Sequence, residues 1–352
     1  MEIPVERRKA VATDPQSRVA DLIFGRWRSQ ILYAGVRLGV IDALERGPKP
    51  ARELTNELSL DSALGYRLLR ALASIGLLAE QQERIFNLTP EGRYLLEGHP
   101  ESLRGMALLE EGPEHYALWK HLSAMIHEGK QNAFVREFGR MAFEHAEQDG
   151  NYAAVFDNAM SSYSAVQTRA AVQALEDFDF ASIRTICDIG GGHGHLICGF
   201  LARYPHLTGF VLERPSVITA SERLWANKLG FADRCQYVGG NMFEAIPSAD
   251  LYLMKLIIHD WNDGESVRIL SNARSAAPAD SRMLLIEHVV PGPETPHFSK
   301  LFDIHMMCWG TGQERTAEEY AHLLEAAGWG YGGVRPMPGG LMSVVEGINS
   351  AS

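Results

Sequence analysis

One stretch restricts the fold of this 352-residue chain more than any other: Thr185–His195, TICDIGGGHGH. An apolar run, Thr185-Ile186-Cys187, reaches the acidic Asp188. Ile189 and three consecutive glycines follow, Gly190, Gly191 and Gly192, then His193 and Gly194. The segment LICGFLARYP after them reads as a helix. A strand, a tight glycine turn and a helix start let backbone come close to a bound nucleotide. The glycine spacing departs from the usual dinucleotide fingerprint. A carboxylate just ahead of the turn would repel a pyrophosphate, so Asp188 favours a ligand with a positive centre, S-adenosylmethionine before NAD.

From Ile183 onward strands alternate with helices. RTICDI, LTGFVL, RCQYVGG, ADLYLMKLII, SRMLLIEHVV and LMSVVEG read as strands, with helices such as ESVRILSNARSAA and TAEEYAHLLEAAG between them. This is an α/β pattern, a doubly wound sheet with ligands at the carboxyl ends of its strands. The part before it differs. Residues 1–17 read as a polar arm and Val19–Leu44 as helical, stopped by Gly47-Pro48. In the next pair of helices Leu64, Leu68, Ala71, Leu72 and Ile75 are expected to share one packed face. Two small strands around Gln82 and Glu83, then a helix opened by Pro90 and capped by Thr89, complete a winged-helix outline. Such an outline binds DNA in regulators. Here the second helix offers only Arg67 and Arg70 on a chain of net charge -11, so dimerisation is expected and nucleic acid is not. The expected division is 1–105 for dimerisation, 106–180 as helical linker and pocket wall, and 181–352 for the cofactor.

The basic start, Arg7-Arg8-Lys9, has no long apolar run behind it, so neither a secretory signal nor a membrane span is expected. Cys187, Cys198, Cys235 and Cys308 are too scattered for a metal finger and point to buried, reduced thiols in a cytoplasm.

Chemistry gathers at the strand ends. Glu213 closes the second strand about 20 residues past the glycine turn, where a carboxylate accepts both hydroxyls of a ribose. Asn241 in GGNMFEAIP can address adenine or ribose, with Met242 and Phe243 as an apolar wall. The fourth strand runs into MKLIIHDWND, which supplies Lys255, His259, Asp260 and Trp261. An imidazole titrates near neutral pH, so His259 is a candidate general base if a carboxylate fixes its other nitrogen. Glu287 in LLIEHVVP and Glu314 in GTGQERTAEEY are available for that, while Asp260 could instead cap the following turn. Trp261 could stack on adenine.

Taken together, LGVIDAL, the F-N-LTPEG-YL wing, FEHAE…VFDNAM, DIGGGHG, LERPSV, GGNMF, LIIHDWND, IEHVVP and GQERT resemble, in order and over nearly the full length, one family. It is the S-adenosylmethionine-dependent O-methyltransferases of the plant caffeate and hydroxyindole type, with their bacterial natural-product relatives. The resemblance implies a Rossmann-like class I methyltransferase domain behind a winged-helix dimerisation domain, and a homodimer. It also implies roles. Gly190 and Gly192 would shape the turn round the methionine moiety, and Glu213 would hold the ribose. Asn241, Met242 and Trp261 would surround the adenine, Lys255 would contact the cofactor and Ser164 would bind its amino-acid end. His259 would be the base bracketed by Glu287 and Glu314, and Phe156 and Met160 would wall the acceptor. The family usually has aspartate where Glu213 and Asn241 stand, and plainer apolar residues where His305 and Trp309 line the acceptor side.

The expected reaction is methyl transfer to a hydroxyl of a flat phenol or enol, with Asp260, His305 and Trp309 also facing the substrate. One rival keeps the fold and adds a metal. His259, Asp260 and His305 form a two-histidine, one-carboxylate set of the kind that holds non-haem iron, which would suit C-methylation of an aromatic α-keto acid. Another is a non-methylating protein on the same scaffold.

Overall fold

A computed structural model of the chain describes residues 14–219 and 221–349. Most of the expected polar arm, residues 1–13, lies outside them. The rest of that arm is already helical: Asp14 caps a helix over Pro15–Ile23, its carboxylate accepting from the Gln16 and Ser17 N–H groups. The chain divides into two compact units at Pro113/Glu114.

In the first unit the expected long helical run is broken into helices Gly25–Arg37 and Val40–Ala43, because Gly39 takes a left-handed φ of 78°. Strand β1 (Lys49–Pro50) and helices Ala51–Glu57 and Ser62–Ser74 follow, then β2 (Leu78–Gln81) and β3 (Ile85–Leu88). The three strands pair antiparallel in the order β1-β3-β2, and Thr89 caps the helix at Pro90–Arg93 as its sequence predicts. Val36, Ile41, Leu54, Leu69, Leu72 and Phe86 form the core. The face of Ser62–Ser74 that packs is Gly65, Leu69 and Leu72, whereas Leu64, expected in the core, is 61 % exposed. Val19, Leu22, Ile23, Phe24 and Trp27 on the first two helices are exposed as well, an apolar patch that a monomer gains nothing by showing to water.

The boundary falls at the first residue of a short helix, Pro113–Leu118, and short helices at Leu122–Glu128, Ala133–Phe138 and Ala142–Gln148 follow in the second unit. They lead into a 25-residue helix, Gly150–Ala174, capped by Asp149. Then come β4 (Thr185–Ile189), β5 (Thr208–Glu213), β6 (Cys235–Gly239), β7 (Leu251–Lys255), β8 (Arg282–Glu287), β9 (Val289–Val290), β10 (Arg315–Thr316), β11 (Gly330–Pro336) and β12 (Ser343–Ile348). The main sheet has the order β11-β12-β8-β7-β4-β5-β6. Its β8, β7, β4, β5 and β6 are parallel, and β12 is antiparallel to β8. Strand β11 has no counterpart in the sequence reading. Gly330, Gly332, Gly333 and Pro336 hide it, and its exposed edge position asks for no apolar alternation. Apolar clusters on the two faces of the sheet, around Phe200 and Leu253 on one side and Tyr252 and Trp329 on the other, fix it between helices.

All four cysteines are buried and free of disulfide bonds. Among the described residues no helix is long and apolar enough to cross a membrane.

Candidate active site

The carboxyl ends of β4, β5, β7 and β8 converge on the glycine turn. Gly190 and Gly192 adopt φ of 67° and 56°, and a Cβ built on Gly192 would enter open space, so the turn borders a cradle rather than packed core. Glu213 at the end of β5 reaches back to it: Oε2 accepts from the Gly192 N–H at 3.0 Å and Oε1 from the Arg214 N–H at 2.8 Å. Asp188 is buried beneath the turn and accepts from the Ile197 N–H. Burial pushes its carboxyl up to about 7 against the pull of Lys255, and the same burial brings the Lys255 ammonium down to about 8. Lys255 Nζ donates to Ser164 Oγ at 3.1 Å and Gln167 Oε1 at 2.9 Å, which joins the long helix to the end of β7.

On the adenine side of the expected site, Trp261 meets Phe243 edge-on at 4.8 Å, and its buried Nε1 has no partner. Met242 is half-buried nearby. Asn241 is exposed and spent locally, its Oδ1 accepting from the Phe243 N–H and its Nδ2 donating to Glu244.

After Lys255 the chain turns sharply. Leu256 takes φ 53°, rare for a branched residue and a sign of local strain held by its surroundings. The turn aims the Ile257 and Ile258 N–H groups at Glu287 Oε1, at 3.1 and 3.0 Å. The next residue is His259, 6 % exposed. Its Nδ1 lies 2.8 Å from Glu314 Oε1, and its Nε2 faces Asp260 Oδ1 at 3.5 Å, beyond a good hydrogen bond. Glu314 arrives there because the two-residue ladder of β10 on β9 sets Arg315 beside Val289. Gly312 makes that approach possible: a Cβ on it would stand 1.8 Å from the His259 carbonyl oxygen.

Burial, reinforced by Asp303, pushes Glu314 up to about 8. Burial likewise raises Glu287 and Asp260, each to about 7. The Oε2 atoms of Glu287 and Glu314 are buried without a partner.

Several supporting residues escaped the sequence reading. Arg315, fully buried, donates to the carbonyls of Ile258 and Trp261 and pairs with Asp263 at 2.8 Å, clamping the turn that carries His259. Asp303 holds the Glu314 N–H. Phe302 stacks on His259 at 5.9 Å and on His305 at 5.2 Å. Arg315 stands beside Glu314 in GQERT, but its partners, the Ile258 and Trp261 carbonyls and Asp263, are ones that no residue pattern reveals.

The placement of His305 corrects the metal alternative. His259, Asp260 and His305 do not come together as a ligand set among the described residues; His305 instead packs near His115 and Trp119. Around His259, the donors that do lie within 4.8 Å of one another are its own and those of Glu287 and Glu314. Those are occupied in positioning the imidazole and the β7 turn. Of the residues expected to wall the acceptor, Phe156 and Trp309 lie with their rings near parallel, and Met160 sits one helical turn beyond Phe156.

The seven-stranded, mostly parallel sheet, with the glycine turn at the carboxyl ends of its parallel strands, is that of a class I S-adenosylmethionine-dependent methyltransferase. Residues 119–330 match the O-methyltransferase domain and residues 20–98 the O-methyltransferase dimerisation domain, and the chain belongs to that O-methyltransferase family. It is 36% identical over 342 residues to a phenazine O-methyltransferase, PhzM, of Lysobacter antibioticus, spanning 97% of this chain and 98% of that one. It is 31% identical to the mitomycin biosynthesis 6-O-methyltransferase of Streptomyces lavendulae, spanning 98% of each chain. The solved structure of CalO1, a methyltransferase of calicheamicin biosynthesis with S-adenosylhomocysteine bound, superposes with a TM-score of 0.81 at 30% identity, covering 96% of this chain and all of that one. The protein is therefore an S-adenosylmethionine-dependent O-methyltransferase of the natural-product branch.

Proposed function

We propose that the chain methylates a hydroxyl of a small aromatic acceptor, a phenol or enol, with His259 as general base, working as a homodimer through its first unit. The observation that carries this reading is the His259 imidazole, held at Nδ1 by Glu314 with Nε2 left to take a proton. Bound S-adenosylmethionine supplies an electrophilic methyl carbon on a sulfonium sulfur. Glu213 and the Gly192 turn would hold the ribose and methionine portions, Ser164 and Lys255 the amino-acid end, and Met242 and Trp261 the base, with Asn241 at its rim. His259 Nε2 accepts the hydroxyl proton as the oxygen becomes nucleophilic, and Glu314 balances the imidazolium that forms. Glu287 fixes the turn that presents the ring, and Asp260, 3.5 Å from Nε2, would address the acceptor hydroxyl. Phe156, Met160, His305 and Trp309 would face the acceptor's body.

The division of labour follows: residues 1–105 for dimerisation, 106–180 mainly for the acceptor wall, and 181–352 for the cofactor. The exposed apolar patch from Val19 to Trp27 supports the dimer. The test is incubation of the purified protein with S-adenosylmethionine and a panel of hydroxylated aromatics, scoring S-adenosylhomocysteine and the methyl ether together. Formation of both by the native chain, and of neither by His259→Ala that still binds S-adenosylhomocysteine, is expected. Undiminished turnover in His259→Ala would remove the imidazole from the chemistry.

A further inference from the structure

Among the described residues Arg315 is the one arginine or lysine that is buried outright. A guanidinium stays charged at every ordinary pH and carries five N–H groups to satisfy. Burying it destabilises the fold unless each finds an acceptor, and an apolar side chain of similar volume is often at least as stable. Here all of them are satisfied. Nε donates to Asp263 Oδ1 at 3.0 Å, and Nη2 to the same oxygen at 2.8 Å. Nη2 also donates to the Trp261 carbonyl at 2.8 Å. Nη1 donates to the Ile258 carbonyl at 3.1 Å and, more loosely, to that of Gln313 at 3.4 Å.

The Ile258 and Trp261 carbonyls belong to the two ends of one turn. The Trp261 N–H closes it on the Ile258 carbonyl at 3.2 Å, with His259 and Asp260 between. Arg315 therefore grips the chain on both sides of His259, and Trp261 is the ring proposed for the adenine. A planar, stiff fork fixes the separation of two acceptors in a way that a single ammonium on a flexible stem cannot. The counter-charge comes from outside the site. Asp263 opens the helix Asp263–Ala276, and its side chain is 66 % exposed.

We propose that Arg315 is a positioning residue that sets His259 and Trp261 as one unit, keeping the base in register with the methyl donor, and that the surface carboxylate of Asp263 keeps Arg315 in that place. This rests on the reading of His259 as the base and adds what aligns it. Misplacing a reacting group by an ångström can cost about 100-fold in rate, so the grip on both carbonyls has a kinetic consequence. The Arg315 charge acts as well, drawing the neighbouring Glu314 carboxyl down against its burial. The other titratable groups around Glu314 are His259, Asp260, Glu287, Asp303 and Tyr320.

The experiment uses the full chain. It measures S-adenosylhomocysteine affinity by calorimetry, kcat and KM for a phenol of the panel, and the nitrogen resonances of the His259 imidazole across pH. Those resonances report which ring nitrogen carries the proton, which changes as Glu314 ionises. Asp263→Ala removes the exposed counter-charge and both hydrogen bonds to it. It should weaken S-adenosylhomocysteine severalfold and lower kcat on the order of tenfold, with acceptor KM and Tm near native. Glu346→Ala is the control: it breaks an ion pair with Arg282, 2.9 Å long, in the same sheet and should change neither quantity. Arg315→Lys keeps the charge and loses the fork. Its kcat and cofactor affinity should fall as in Asp263→Ala, while the pH at which the His259 proton changes nitrogen stays where it was. Arg315→Met loses charge and fork together, and that pH should also rise by at least about half a unit. Native kcat and native cofactor affinity in both Asp263→Ala and Arg315→Lys would overturn the proposal, as would equal losses in Glu346→Ala. Should Arg315→Met fail to fold, Asp263→Ala and Arg315→Lys decide the matter. Failure of the base reading shows differently: the His259 resonances and the cofactor affinity respond as expected, yet His259→Ala keeps its turnover.

Discussion

His259 and Glu314, 55 residues apart in the chain, meet at 2.8 Å in a pocket that shields both from water. With Glu314 ionised, Nδ1–H donates to its Oε1 and the Nε2 lone pair faces outward, the form competent as a base. With Glu314 protonated, its carboxyl donates to Nδ1 and the ring proton sits on Nε2. Glu314 is pushed up to about 8, chiefly by burial, so its ionised form is reached as pH rises through about 8.

Glu314→Gln tests the relationship. Glutamine keeps the shape but fixes no anion opposite the imidazolium, and kcat is expected to fall on the order of 100-fold or more with acceptor KM little changed. In the native protein kcat should climb with pH to a midpoint near 8; in the variant that limb should vanish or move by at least a unit. A pH–rate profile common to both proteins would mean the proton is handled elsewhere.

Gly192→Ala addresses the cradle. The residue sits at φ 56°, and its Cβ would project into the open space at the turn. Forcing alanine into this conformation costs about 1 kcal/mol, and with the cofactor held at this turn as proposed, the methyl group would intrude on it. S-adenosylhomocysteine affinity should weaken roughly tenfold by calorimetry. Gly230→Ala is the control, since Gly230 has φ 74° with nothing within 4 Å but ends a helix elsewhere. Equal loss of affinity in the two variants would show that backbone strain alone is responsible.

The parallel part of the sheet was legible because its strands, with Ile186, Val211, Leu253 and Leu284 all buried, lie covered on both faces and read as unbroken apolar runs; β11, glycine-rich and at the edge, was not. The glycine turn announced itself through residue type. His259 was legible as a polar residue at a strand end, but which carboxylate serves it was not. Glu287 and Glu314 stand in similar sequence settings, and only the β9–β10 ladder gives Glu314 the imidazole and leaves Glu287 the peptide N–H groups. The His259–Asp260–His305 set was suited to a metal by residue type alone. It fails in space because the His259 ligand atoms gather with those of Glu287 and Glu314, while His305 packs beside His115. Leu64 pointed outward for a similar reason: period alone leaves a helix's packed face uncertain by a residue, and Gly65 is the residue that fits against Thr55.

The apolar patch gives a third prediction. Leu22 is 80 % exposed and Trp27 59 %, both on the first two helices. If this face is where two copies meet, Leu22→Asp with Trp27→Asp should shift the chain from dimer to monomer in sedimentation velocity at micromolar concentration. The changes remove no described core contact, so far-UV circular dichroism should stay the same. A dimer that survives both aspartates would place the interface on another surface.

Glu287 supplies the last prediction through stability. It is fully buried, with Oε1 accepting two peptide N–H groups and Oε2 unpartnered. Burial raises its carboxyl from 4.5 to about 7 against the opposing pull of His259. The folded state therefore holds a proton that the unfolded chain has released, and stability is lost as pH rises from about 4.5 through about 7. Glu287→Gln keeps an oxygen for both N–H groups and has nothing to ionise. Relative to the native chain it should gain on the order of 2 kcal/mol, a few degrees in Tm, between pH 5 and pH 8. Melting curves of both proteins across that range read the difference directly. The gap should widen as pH rises and level off above about 7; two parallel curves would mean Glu287 is ionised throughout, its charge carried by the Ile257 and Ile258 N–H groups.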